Sequence, residues 1–185
     1  IHSVLSALHR LGFKGILTDN PEIIQSSDKV IFPGVGEARS TMNHLRKKGL
    51  DEVIKNLTQP VLGICLGMQL LCKHSEENNT DCLGIIPLEV KKFIPRQKEN
   101  VPHVGWNTLL NTQNLLFDGL PENSFAYFVH SYYATLGPET IAQTDYIFPF
   151  SAAVQKDNFY ATQFHPEKSG WVGEKILSNF LHIAP

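Results

Sequence analysis

The chain has 185 residues, 42% hydrophobic and 18% charged, with a formal net charge of -2. That length supports a sizeable core, and the balance is ordinary for a globular protein. Neither a long Lys/Arg block nor an apolar run of membrane-spanning length is evident, which argues against nucleic-acid and membrane classes, and no signal peptide is visible.

In chain order, Ile1–Leu11 places Val4, Leu5, Leu8 and Leu11 at helical spacing, with Gly12 as the stop. An α/β domain ordinarily opens with a strand, so an N-terminal strand is expected to be missing ahead of this helix. Gly15–Thr18 is a strand candidate, and Asp28–Phe32 is another that runs into Pro33-Gly34-Val35-Gly36. Gly36–Lys48 has helical spacing, with Ala38, Met42 and Leu45 on one face. Val61 begins an apolar strand that turns into a helix reaching about His74, and 75–80 is a polar loop. From Leu83 the texture becomes strand and turn: Ile85–Phe93, His103–Leu110, Phe125–Thr135, Ile141–Tyr146, Ala152–Gln155 and Phe159–Phe164. Gly170–Ile183 closes the chain as an amphipathic helix, with Ile176, Leu177, Phe180 and Leu181 inward. The expectation is one mixed α/β domain over 1–185: a parallel sheet covered on both faces, with an antiparallel extension.

Chemistry concentrates at Gly63-x-Cys65-x-Gly67, between an apolar strand and a run of helix formers. This is a nucleophile elbow with cysteine in place of serine. The turn leaves no room for side chains around the nucleophile, and a helix N-terminus beneath the sulfur favours thiolate. The Leu66 N–H then faces the position where an oxyanion would form. A free cysteine is ordinarily a small buried hydrophobe. Cys65 is set apart by His165-Pro166-Glu167, where a proline of locked φ fixes an imidazole relative to a carboxylate at a strand end. Thiol, imidazole and carboxylate are the three groups a covalent acyl-transfer site needs. Pro33-Gly34-Val35-Gly36 offers glycine-freed backbone N–H groups after a buried strand, and it lacks the Gly-Lys-Ser/Thr of a P-loop. The three cysteines, Cys65, Cys72 and Cys82, have no C-x-x-C spacing, so neither a disulfide framework nor a zinc site is indicated and a reducing, cytoplasmic compartment fits best.

Gly-Ile-Cys-Leu-Gly-Met-Gln followed by His-Pro-Glu resembles the class-I, or triad, glutamine amidotransferases. Within that family the finer resemblance is to the glutaminase subunits that serve imidazole glycerol phosphate synthesis in histidine biosynthesis. It rests on residues 65–71, 103–107, 127–132 and 163–170. The resemblance implies a doubly wound, flavodoxin-like mixed sheet. It also implies that glutamine is hydrolysed through a γ-glutamyl thioester on Cys65 without a cofactor. The ammonia would pass to a (β/α)8 cyclase partner in a heterodimer. Gln69 would bind the glutamine head group, Glu77 its α-amino group, and Ser131 and Tyr132 its carboxylate through backbone. Trp106, Asn107, Tyr127 and Lys168 would face the partner. Gly34-Val35-Gly36 would supply the second oxyanion donor when one peptide turns inward. His103 and His130 receive no role.

Two rival classes remain. One is a glutaminase subunit of another synthase, making anthranilate, GMP, carbamoyl phosphate or pyridoxal phosphate, with a thiol peptidase of similar architecture behind it. The other is a catalytically silent scaffold.

Overall fold

The computed structural model describes residues 1–184. The first half of the chain supplies α1 (His2–Arg10), α2 (Pro21–Ser26), β1 (Val30–Pro33), α3 (Ala38–Lys47), α4 (Leu50–Lys55), β2 (Val61–Ile64) and α5 (Leu66–Leu71). Then come β3 (His74–Ser75), β4 (Thr80–Asp81), β5 (Glu89–Lys92), β6 (His103–Thr108), β7 (Phe125–His130) and β8 (Tyr132–Ala134). The chain ends with β9 (Thr140–Asp145), β10 (Pro149–Lys156), β11 (Phe159–Thr162) and α6 (Gly170–His182).

The main sheet has the order β1-β2-β11-β10-β9. β2 is parallel to both β1 and β11, while β10 runs antiparallel to β11 and β9. All four residues of β2 are buried, as a strand covered on both faces requires. Leu62 and Ile64 join a core with α1 and α6, whereas Val61 joins one with α3, α4 and α5. This is the expected mixed sheet with helices on both faces. A second sheet, β4-β3-β5-β8, and the β6–β7 hairpin complete the fold.

Four expectations are corrected. Gly15–Thr18 is not a strand: Ile16 and Leu17 are 69% and 63% exposed, and among the described residues no ladder bond reaches them. An apolar run becomes a strand only beside a ladder neighbour. The elbow helix stops at Leu71 rather than near His74. Its last carbonyls are taken by the N–H groups of Leu83, Gly84, Ile85 and Ile86, which bond to Leu70, Cys72 and Leu71. Those bonds, with Pro87 behind them, also delay the next strand to Glu89. The single strand expected at Phe125–Thr135 is broken at Ser131: β7 pairs with β6, whereas β8 pairs with β5.

The connection from β1 to α3 lies directly on the elbow. A Cβ at Gly67 would run into the Phe32 carbonyl oxygen, and one at Gly34 would overlap Leu66 and the Gly67 nitrogen. Gly67→Ala should therefore destabilise the fold by on the order of 3 kcal/mol, read as a lowered denaturant midpoint at unchanged slope. A midpoint equal to wild type would show that the two backbones can part freely.

Candidate active site

Cys65 follows β2 with φ 54 and ψ -109, a conformation rare for a residue with a side chain. Such backbone costs about 1–3 kcal/mol and persists only where its surroundings hold it. Here its N–H donates to Thr162 O at 2.7 Å, tying the turn to β11. The sulfur stands above the sheet, half-buried. It lies 3.9 Å from the Val129 carbonyl and receives the Gln163 amide at 3.7 Å.

His165 follows β11, and its N–H donates to the Tyr127 carbonyl at 2.9 Å. Its Nδ1 lies 2.9 Å from Glu167 Oε1, and the Glu167 side chain is 6% exposed. Glu167 Oε2 is buried and has no hydrogen-bond partner, so the ring is the carboxylate's one close polar neighbour among the described residues. Burial by itself would lower the His165 pKa. Its hydrogen bonds to Cys65 and Glu167, and their charges, outweigh burial and raise it to about 9. Cys65 and His165 are neighbours, and the raised value means that the ring holds its proton more tightly than a free imidazole does.

A raised folded-state pKa means that the native state binds this proton more tightly than the unfolded chain does. The resulting stability is complete below the ordinary value of 6.5 and is lost as pH rises through about 9. The stability gap between wild type and His165→Phe should accordingly narrow from about pH 6 to about pH 10, measured by denaturant unfolding. A constant gap would mean that the ring is not held charged.

Pro33, Gly34 and Val35 share a cavity of about 160 Å³ with His165 and Glu167. The Gly34 N–H is committed to Ile64 O at 3.2 Å, so in this conformation Gly34 is not itself a free donor. The Val35 N–H makes no hydrogen bond among the described residues, and Gly36, with φ +86, gives the loop its turn. Leu66, the first residue of α5, likewise leaves its N–H without an intrahelical partner.

Gln69 is 4% exposed, and its Nε2 donates to Tyr132 O and to Gln163 Oε1, both at 2.9 Å. Its carbonyl end carries no bond among the described residues. Tyr132 contributes its carbonyl to this floor, and Ser131 sits at the break between β7 and β8, with its carbonyl held by the Phe93 N–H. Glu77 spends one carboxylate oxygen on the Ala38 N–H at 2.8 Å, pinning the far end of the glycine loop, and burial raises its pKa.

The residues expected to face a partner divide. Trp106 is 56% exposed and lies edge-on to half-buried Tyr127 at 5.9 Å, and Lys168 is exposed. Asn107 turns inward: its Nδ2 donates to Asp145 O at 2.9 Å and its Oδ1 accepts the Thr108 N–H. An amide satisfied on both ends inside the protein has little left for a partner. Sequence reasoning missed Val104, Phe125 and Trp171, which are 56%, 55% and 61% exposed; Trp106, Phe125 and Trp171 line one cleft. It also missed Gln163, fully buried between Gln69 and Cys65. Gln163 lies two residues before the His-Pro-Glu motif, which was the available signal.

The family described as glutamine amidotransferase class-I matches residues 1–184. The chain is 61% identical over 184 residues to imidazole glycerol phosphate synthase subunit HisH of Bacteroides thetaiotaomicron, covering 99% of this chain and 94% of that protein. It is 48% identical over 185 residues to the subunit of that name from Escherichia coli strain K12, with coverage of 99% and 94%. A solved structure described as a glutamine amidotransferase superposes with a TM-score of 0.73 at 18% identity, covering 97% of this chain and 91% of that one. A glutamine amidotransferase from Thermotoga maritima superposes with a TM-score of 0.64 at 18% identity, covering 95% and 74%. At those identities the two structures bear on the fold alone.

Proposed function

The chain belongs to the class-I glutamine amidotransferases, and on that premise we propose that it is the glutaminase subunit of an imidazole glycerol phosphate synthase, working through Cys65, His165 and Glu167. It hydrolyses glutamine to glutamate and ammonia. As a subunit it works beside a partner, and the reading that fits best is a (β/α)8 cyclase that consumes the ammonia, docked over Trp106, Phe125 and Trp171. No helix of the described residues is long and apolar enough to cross a membrane, and three free cysteines suit a reducing cytoplasm.

The observation that carries the chemistry is the strained Cys65 beside an imidazole held by a buried carboxylate. The Cys65 thiolate attacks the side-chain amide carbon of glutamine, forming the C–S bond. The carbonyl oxygen becomes an oxyanion met by the N–H groups of Leu66 and Val35. His165 passes its proton to the amide nitrogen, the C–N bond breaks and ammonia leaves, with the γ-glutamyl thioester remaining on Cys65. The now neutral His165 takes a proton from water as that water attacks the thioester. Collapse breaks the C–S bond, releasing glutamate and restoring the thiolate and imidazolium. Glu167 keeps the ring oriented and charge-balanced throughout. Gln69, with its carbonyl end unspent, and the backbone of Ser131 and Tyr132 hold the head group.

The direct test is ammonia release from glutamine, with and without the cyclase and its acceptor. Release that rises sharply with the partner supports the reading. No release under either condition would make the chain a silent scaffold.

A further inference from the structure

Two buried histidines take no part in these steps, yet they reach the floor of the same site. His103 and His130 face each other across the β6–β7 ladder, and His103 Nδ1 lies 3.0 Å from His130 Nε2. His130 Nδ1 lies 2.7 Å from the Tyr132 carbonyl oxygen. At the outer end, Asn107 Nδ2 lies 3.3 Å from His103 Nε2. Phe93, Phe128 and Phe150 surround both rings, an apolar setting in which a polar pair is costly unless its bonds are complete.

The proton positions follow from the acceptors. A carbonyl cannot donate, so His130 Nδ1 carries a proton. Burial holds His103 at about 4 and His130 at about 3, so each ring is neutral at pH 7 and carries a single proton. His130 Nε2 is then an acceptor, and His103 Nδ1 is its donor. His103 Nε2 must in turn accept, and it meets the amide nitrogen of Asn107. That amide is oriented independently, by Nδ2 donating to Asp145 O and Oδ1 accepting the Thr108 N–H at 2.8 Å. The two ends agree, and every bond in the chain runs in one direction.

At its inner end the chain joins the substrate floor. Tyr132 O also accepts from Gln69, which donates to Gln163, which donates to the Cys65 sulfur. We propose that His103 and His130 are positioning residues for glutamine: Asn107 and the two rings fix the Tyr132 carbonyl, and through it the side chains of Gln69 and Gln163 beneath the nucleophile. This rests on the glutaminase function above. Without the His130 donor, the Tyr132 carbonyl keeps only Gln69, and the 131–132 backbone that holds the head group is freer to move.

Two measurements test it. In the full-length protein labelled with 15N-histidine, at about pH 7, both rings should be neutral and protonated at Nδ1, the tautomer their partners demand. An Nε2-protonated or charged ring at either position overturns the proposal. In the complex with the cyclase, His130→Phe, which retains a ring of similar shape, should raise the KM for glutamine about tenfold while kcat stays within about threefold. His130→Asn, whose amide nitrogen occupies the Nδ1 position, should recover most of that loss. An unchanged KM in folded His130→Phe, or equal damage from both substitutions, overturns it. Wild-type glutamine turnover, measured first, separates failure of the glutaminase function from failure of this inference, and the tautomer measurement decides even if His130→Phe does not fold.

Discussion

Cys65→Ala is expected to reduce glutamine hydrolysis on the order of a hundred-thousand-fold or more, because the thioester route has no other nucleophile and triad members act as a unit. Association with the partner should survive, since Trp106, Phe125 and Trp171 are untouched. The same reasoning predicts where a glutamine-analogue electrophile will attach. Cys72 is wholly buried, and burial pushes its thiol far above the ordinary range. Burial likewise raises Cys82 to about 12. Neither forms thiolate near neutrality, whereas Cys65 is only half-buried and lies beside His165. Peptide mapping should find the label on Cys65. Label found mainly on Cys72 or Cys82, or substantial turnover in a folded Cys65→Ala, would remove Cys65 from the mechanism.

Val35→Pro is expected to hold turnover about a hundred- to a thousand-fold below wild type even with the partner present, which is the usual cost of one missing oxyanion donor. Of the two loop N–H groups unpaired among the described residues, those of Val35 and Gly36, only Val35 lines the cavity shared with His165. The Gly34 N–H is tied to Ile64 O, while the Val35 N–H is unpaired among the described residues on a loop packed against the elbow. In the proposed mechanism the Gly34–Val35 peptide turns its N–H inward when partner and acceptor bind, and the glycine on its N-terminal side lets both orientations form without a side-chain clash. Proline deletes the N–H without touching the triad. The isolated wild-type subunit should share the low activity, so the variant and the unstimulated wild type should differ little. Full stimulated turnover in a variant that still binds its partner would exclude the loop as donor.

The catalytic candidates were legible because each lies within a few residues of chain. Glycines flanking Cys65 and a proline between His165 and Glu167 restrict backbone shape locally, and local sterics act the same way wherever the segment is placed. The helical faces carrying Val4 and Leu8, Ala38, Met42 and Leu45, and Ile176 and Phe180 were legible for a related reason: their spacing repeats with the helix itself, and all of them are buried.

What depended on a partner far away in the chain was not legible. Gly15–Thr18 has strand-like composition and no strand beside it. Phe125–Thr135 has one continuous pattern, but its two halves pair with different sheets. Asn107 sits in a motif that suggested the surface, and the Asp145 carbonyl and the His103 ring turn it inward. His103 and His130 looked unremarkable as single residues because the property that matters, one ring's nitrogen facing the other's, exists only after the β6–β7 ladder is registered. Local sterics and periodicity thus determined the elbow, the His-Pro-Glu turn and the amphipathic helices. Only the tertiary structure decided which strands pair, which amides turn inward and which buried rings share a proton chain. The physical reason is that a hydrogen bond across a sheet depends on where two distant backbones meet, and neither segment specifies that position by itself.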